Sequence, residues 1–330
     1  MKTNMHANAV SPIRIGHRWS VVLSGGDGQR MLPFTAAWLG EARPKQYCSF
    51  LGKRTMLEHT LARAARVASP SEVVTVIGQG HWRFLDEPLR VDLPGRVLEQ
   101  PANRRTAPGI LLPLAYVLAC DPRATVAVMP SDHFILTDDA FIDRMTRGLE
   151  AAEKLEDRVV LLGMPASRPE PEYGWIRPGE RLAPGVRSVA GFHEKPDAAA
   201  AHRFYRQGCL WNTFIMAAKA RTLWDLAERM LPRIHERFER LRSAFGTTEE
   251  ARTLQAVYRD MPEADFSRSV LQAAPEACAV LPMDGVVWDD WGRPERVLTT
   301  LHRIGRTPNF PAGLIVPAKE SRKDASSLAA

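Results

Sequence analysis

The sequence predicts an α/β protein, with a mainly parallel sheet flanked by helices. Three observations carry this reading. Short, near-continuous apolar runs recur at residues 19–24, 72–77 and 124–129, as suits strands buried on both faces. Segments with helical spacing separate them. A glycine-rich turn follows the first run directly, and a carboxylate follows the third.

Taken in order, residues 55–68 place Met56, Leu57, Leu61, Ala64, Ala65 and Ala68 on one helical face, with Glu58, Arg63 and Arg66 elsewhere. Residues 138–155 open with Asp138 and Asp139, which suits a helix N-terminus, and continue through Phe141, Ile142, Met145 and Leu149. Residues 158–163 read as the next strand. Pro165, Pro169, Pro171, Pro178 and Pro184, with Gly174, Gly179 and Gly185, then predict a loop-rich insertion or lid. Helical patterns at 221–242 and 247–259, a strand pair within 278–288 and a helix at 294–304 complete one domain spanning 19–305. Residues 1–18 and 306–330 read as flexible tails.

The 330 residues carry a formal charge of +6 and are 45% hydrophobic. Much of the positive charge lies in the two tails, so the body is close to neutral and lacks the basic face that nucleic acid requires. The longest apolar stretch, 109–120, is too short to span a bilayer and contains Pro113, so no membrane span is expected. Cys48, Cys120, Cys209 and Cys278 show neither zinc-ligand spacing nor a disulfide framework and read as buried thiols. With no secretory h-region at the N-terminus, a cytoplasmic location is expected. Homo-oligomerisation stays open.

The chemistry concentrates after the strands. Gly25, Gly26 and Gly28 let the backbone approach an anion, and Arg30 adds a forked cation, so this turn reads as a phosphate cradle. Neither the P-loop nor the dinucleotide fingerprint fits, because no Gly-Lys follows and Met31 stands where a third glycine would be. Pro44 stiffens the chain before Lys45, which can reach the same phosphates. Asp132 ends the strand at 124–129, where open α/β sheets bind ligands, and suits either Mg²⁺ or a turn cap.

The run Gly-Gly-Asp-Gly-Gln-Arg-Met-Leu-Pro-Phe-Thr at 25–35, followed by Pro44-Lys45-Gln46, resembles the sugar-1-phosphate nucleotidylyltransferases, and most nearly the mannose-1-phosphate guanylyltransferases. Further motifs match in order: Pro130-Ser131-Asp132-His133, Tyr173-Gly174-Trp175-Ile176, Glu194-Lys195-Pro196, Trp211-Asn212 and Trp288-Asp289-Asp290-Trp291-Gly292. The resemblance covers about residues 19–304. It implies a Rossmann-like fold of the nucleotide-diphospho-sugar transferase type, whose insertion binds the sugar. It also implies transfer of a nucleotidyl group from an NTP, most nearly GTP, to a sugar-1-phosphate, most nearly mannose-1-phosphate.

By the same resemblance, Arg30, Lys45 and Lys195 would be catalytic, and Gly25, Gly26, Gly28, Arg104, Arg105 and Thr106 would bind nucleotide. Gly174, Glu194, Lys195 and Asn212 would bind the sugar phosphate, while Asp132 and Asp290 would hold Mg²⁺. The chain departs from the family at Gln100 and Arg105, where Glu and Asn are usual, and at Thr213-Phe214, where Ser-Gly is usual. Another base or sugar, or a catalytically weak nucleotide-sugar sensor built on the same pocket, are the alternative readings.

Overall fold

The computed structural model describes residues 17–315; the rest of the two expected tails, 1–16 and 316–330, lies outside the described residues. Strand β1 (Arg18–Ser24) leads through the glycine turn to helix α1 (Leu32–Leu39), then to a 3₁₀ turn at Lys45–Tyr47 and helix α2 (Met56–Ala64). Thr55 and Glu58 form a reciprocal capping box that starts α2 where the apolar periodicity begins. Next come β2 (Val73–Gly78), α3 (Glu87–Val91), β3 (Arg96–Gln100), α4 (Thr106–Cys120), β4 (Thr125–Pro130), the short β5 (Phe134–Ile135), α5 (Asp138–Lys154) and β6 (Val159–Pro165).

Beyond β6 the structure departs from the expected pattern. Pro169 and Pro171 lie in a loop as expected, but from Gly174 on the Pro- and Gly-rich segment is an antiparallel hairpin, β7 (Gly174–Ala183) and β8 (Val186–Glu194), turning at Gly185 with φ +76°. Its prolines are accommodated because register shifts at Arg177/Pro178 and beyond interrupt the ladder locally. After α6 (Ala198–Arg206) comes a ten-residue strand, β9 (Leu210–Lys219), which the alternation of the first half did not announce. The expected helix at 221–242 is two helices, α7 (Ala220–Met230) and α8 (Pro232–Ala244), because Pro232 cannot continue α7. They are followed by α9 (Glu250–Tyr258), a π-helical turn at Ser267–Leu271, β10 (Cys278–Pro282), β11 (Trp288–Asp289) and α10 (Pro294–Arg303). Strands β10 and β11 do not pair with each other: β10 joins β6 and β8, whereas β11 pairs with β5.

The nine-stranded sheet has the order β3-β2-β1-β4-β9-β6-β10-β8-β7. Within it β8 and β9 run opposite to the rest. Successive β1 residues feed opposite faces, as the pleat requires. Val21 packs with Ile110, Leu111, Leu223 and Phe238 under α4, α7 and α8, while Val22 packs with Leu57, Leu61, Phe141 and Met145 under α2 and α5.

A third apolar cluster of Met31, Phe34, Phe50, Phe134, Trp291, Val297, Leu301 and Phe310 sits behind the glycine turn. Phe310 meets Phe34 edge-on at 4.9 Å, and Asn309 binds the backbone of Phe50. Residues 306–315, expected as tail, are thus in part packed onto the body. At the other end Arg18 opens β1 and pairs with Glu153 at 2.7 Å. Of the four thiols, Cys48, Cys209 and Cys278 are buried as expected; Cys120, at the end of α4, is exposed.

Candidate active site

The glycine turn is held from behind. Gln46 Nε2 donates to the carbonyls of Ser24 (3.1 Å) and Gly26 (2.7 Å), and Gln100 Nε2 donates to that of Gly25 (2.9 Å). With three successive carbonyls tied down by buried amides, the opposite edge of the turn is presented to a cavity of about 480 Å³. A Cβ at position 25 would lie 2.6 Å from Gln100 Nε2, so any larger residue displaces that amide from the turn. Gly28 adopts φ +63°, and its carbonyl receives the Met31 N–H that starts the approach to α1. Arg30 remains 58% exposed, 3.8 Å from Glu172 and 4.0 Å from Asp290.

Asp132 and Asp290, far apart in sequence, are joined by Lys45, which pairs with the carboxylate of the first and the backbone carbonyl of the second. Its ammonium is almost fully buried, lies 3.1 Å from Asp132 Oδ2, and donates to the carbonyls of Asp290 and, at 3.4 Å, Trp291. Asp290 Oδ1 accepts from Tyr173 Oη (2.9 Å), Arg296 Nη1 (2.8 Å) and the Gly292 N–H (3.0 Å). Burial pushes both carboxyls up, but the surrounding cations outweigh it. Lys45 and His133 hold Asp132 below its usual range, and Lys45, Arg296, His133 and the Gly292 N–H do the same for Asp290. His133 is driven down by burial against the pull of Asp132, and its Nδ1 accepts from Trp288 Nε1 at 3.3 Å. Neighbouring Asp289 is raised by burial and faces Thr300, away from this pair.

Strand register builds the other end of the cavity. Gly174 is paired with Glu194 on one side and Asn212 on the other. A Cβ on Gly174 would lie 2.6 Å from Glu194 Oε2 and 3.1 Å from Asn212 Cβ, so only glycine leaves both side chains in place. Lys195, in the left-handed region at φ +48°, points its ammonium to Glu194 Oε1 at 2.8 Å. Between Gly163 and Leu161 the ladder of β9 on β6 shifts register, and Phe214 takes φ +59°. Such a bulge re-aims side chains. Here it turns Thr213 and Phe214 to the cavity wall, while Asn212 Oδ1 receives the Phe214 N–H at 3.1 Å.

Beside the glycine turn, where Arg104, Arg105 and Thr106 were expected to bind nucleotide, Gln100, Asn103, Arg105, Thr106 and Gly109 line the wall. Arg105 adopts φ +66° and pairs with Glu263 at the surface, while Arg104 does not line the cavity and supplies its carbonyl to the Ala264 N–H.

The motifs did not disclose residues 263–272, which join the two ends. Phe266 N donates to Thr106 Oγ1 (2.7 Å), Ser267 Oγ meets Asn212 Nδ2 (3.3 Å), and Gln272 Oε1 accepts the Glu194 N–H (2.7 Å). Their sequence carries no spacing signal, because the contacts depend on a π-helical turn. Arg296 and Glu172 were also missed, although each stands within a few residues of a recognised motif.

The donor set suits Mg²⁺. Asp132 and Asp290 are both ionised, and the hydrogen bonds from Tyr173, Arg296 and the Gly292 N–H all fall on Asp290 Oδ1, while Oδ2 lies 4.0 Å from Arg30 Nη2. Among the described residues no group of three or more His, Cys, Asp or Glu side chains gathers as a metal cage. Mg²⁺ needs none, since it commonly takes one or two carboxylates and completes its shell with substrate phosphates and water.

A glycine turn at the end of β1, a carboxylate at the end of β4 and a second one returned by β11 define the class: the family model for nucleotidyl transferases matches residues 19–304, and the chain belongs to that family. Among its relatives, the xanthan biosynthesis protein XanB of Xanthomonas campestris pv. campestris is 26% identical over 289 residues, which is 87% of this chain and 60% of that protein. The mannose-1-phosphate guanylyltransferase RfbM of Salmonella typhimurium is 30% identical over 225 residues, 67% of this chain and 46% of its own. The chain thus spans about 60% or less of the length of these curated relatives. A crystal structure from Thermus thermophilus, described as a mannose-1-phosphate geranyltransferase, superposes with a TM-score of 0.73 at 32% identity, covering 86% of this chain and 79% of that one.

Proposed function

We propose that the protein joins a nucleoside triphosphate to a sugar-1-phosphate, releasing pyrophosphate and an NDP-sugar, with GTP and mannose-1-phosphate as the substrates. The observation that carries the reaction class is the convergence of the glycine turn, Asp132, Asp290, Glu194 and Asn212 around one cavity, with Lys45 buried against Asp132. The names of the relatives support the substrate pair. Three buried thiols and no disulfide among the described residues suit a reducing cytoplasm.

In this reading an oxygen of the sugar phosphate attacks the α-phosphorus, a new P–O bond forms, and the bond to the bridging oxygen breaks with its electron pair leaving on pyrophosphate. Sugar phosphates are dianionic near pH 7, their second pKa lying at about 6, so no general base is required. The protein's work is positioning and charge neutralisation. The N–H edge of residues 25–28 and Arg30 hold the triphosphate. Lys45, fixed by two backbone carbonyls, bears on the reacting phosphates, and Lys195 grips the sugar phosphate that Glu194 and Asn212 orient. Mg²⁺ held by Asp132 and Asp290 supplies screening between the two anions when bound.

The test is pyrophosphate release with Mg²⁺ across GTP, ATP, UTP, CTP and dTTP against mannose-, glucose- and N-acetylglucosamine-1-phosphate. A signal for GTP with mannose-1-phosphate is expected. A different active pair would overturn the substrates and keep the reaction; silence throughout would overturn the reaction.

A further inference from the structure

Glu172 stands at the mouth of the cavity, immediately before Tyr173, and three arginines converge on it from two other segments. Arg296 Nη2 lies 2.7 Å from Glu172 Oε2 and 2.9 Å from Glu170 Oε2, and Arg293 Nη2 bonds Glu172 Oε1. Arg30 Nη1, from the glycine turn, is 3.8 Å from Glu172 Oε2. The three contacts are unequal. Arg296 is mostly buried, with a third carboxylate partner in Asp290 and its guanidinium 4.8 Å over the Tyr173 ring. Arg30 is exposed and makes neither of its two carboxylate contacts at hydrogen-bonding distance.

We propose that Glu172 is a positioning residue that acts through Arg30, an internal anion that holds this arginine until a triphosphate takes it. The inference rests on the reading of Arg30 as a triphosphate ligand. When triphosphate enters, the weakest of the three contacts yields, and Glu172 stays on Arg293 and Arg296. When pyrophosphate forms, Glu172 competes for Arg30 again and weakens the hold on the leaving product. Because Glu172 acts by competing for Arg30, a monophosphate, which does not reach Arg30, is unaffected. Glu172 thereby sets a limit on triphosphate and pyrophosphate affinity in favour of release.

Calorimetric titration of the full chain with inorganic pyrophosphate, GTP and GMP, all with Mg²⁺, tests this in the wild type, Glu172→Gln, Arg30→Gln and the double variant. Glu172→Gln is expected to bind pyrophosphate and GTP about two- to fivefold more tightly, the range of a single exposed ion pair, with GMP unchanged and the gain absent on the Arg30→Gln background. Glu172→Ala, measured beside it, guards against an effect of the amide itself. Equal tightening for GMP, or tightening that survives Arg30→Gln, overturns the proposal. So does unchanged pyrophosphate affinity in both Glu172 variants while Arg30→Gln weakens it. If Arg30→Gln leaves pyrophosphate and GTP binding unaltered, the assignment of Arg30 to the triphosphate falls first, and the role of Glu172 with it.

Discussion

The two ends of the cavity are built by different means. At the glycine-turn end, residues close in sequence leave the tips of parallel strands, and side-chain amides from Gln46 and Gln100 hold the backbone in shape. At the hairpin end, Gly174, Glu194 and Asn212 lie on three strands and face one another because the antiparallel register sets them side by side. The first end is local structure braced by two buried glutamines. The second is a long-range alignment that a one-residue slip would erase. Asp290, brought in by β11 and held by Tyr173 and Arg296, belongs to neither and ties both together.

Changes at that tie should be largest. Asp290→Asn is expected to lower kcat/KM for both substrates by about 10²- to 10³-fold, the scale of losing one preorganised charge contact, while the fold persists. Pyrophosphate-release kinetics within a few-fold of wild type would remove Asp290 from the site.

Lys195→Ala should break only the hairpin end. Loss of a charge-assisted hydrogen bond, worth about 1.5–3 kcal/mol, raises the sugar-1-phosphate KM by roughly 10- to 100-fold and leaves the triphosphate KM in place. The reverse pattern would move Lys195 to the nucleotide side.

A matched pair of glycine variants sharpens the contrast. Gly174→Ala forces Glu194 and Asn212 apart, and Gly25→Ala displaces Gln100. Overpacking of this kind costs about 1–3 kcal/mol. The first should weaken sugar phosphate and the second triphosphate, each by about tenfold. If both variants weaken the same substrate, the two ends are not separate subsites.

The smallest expected effect is on acid stability. Because the carboxyls of Asp132 and Asp290 are held below 3.8, their stabilising contribution is full above that value and is lost as the pH falls through the lower folded value. Urea unfolding followed from about pH 5 downward should show a shallower loss for Asp290→Asn than for the wild type below about pH 4. Parallel curves would mean that the Asp290 charge does not contribute to stability.

Much of the glycine-turn end was legible in the chain. The apolar runs at 19–24, 72–77 and 124–129 correspond to β1, β2 and β4 within a residue or two, since a strand buried on both faces must be apolar throughout. Helices α2 and α5 announced themselves by period, and α5 also by its acidic first turn. At the hairpin end the motifs marked Gly174, Glu194, Lys195 and Asn212, but the strands that carry them were not legible. Gly174, Pro178, Gly179, Pro184 and Gly185, which read as a loop, sit in β7 and its turn, where register shifts accept them, and β9 carries too few polar residues to show alternation because both its faces are covered.

What the sequence determined by itself is therefore local: where strands and helices begin, which turn approaches phosphate, and which residue types are available for catalysis. Only the tertiary structure decided that Lys45 lies against Asp132 and the Asp290 carbonyl, that Glu172 gathers Arg30, Arg293 and Arg296, and that residues 263–272 bridge the two ends. Hydrophobic period and turn chemistry act over a few residues. Charge pairing acts over a few ångströms, between groups the chain separates by hundreds of positions, and it becomes defined once burial has removed the water that would otherwise screen it.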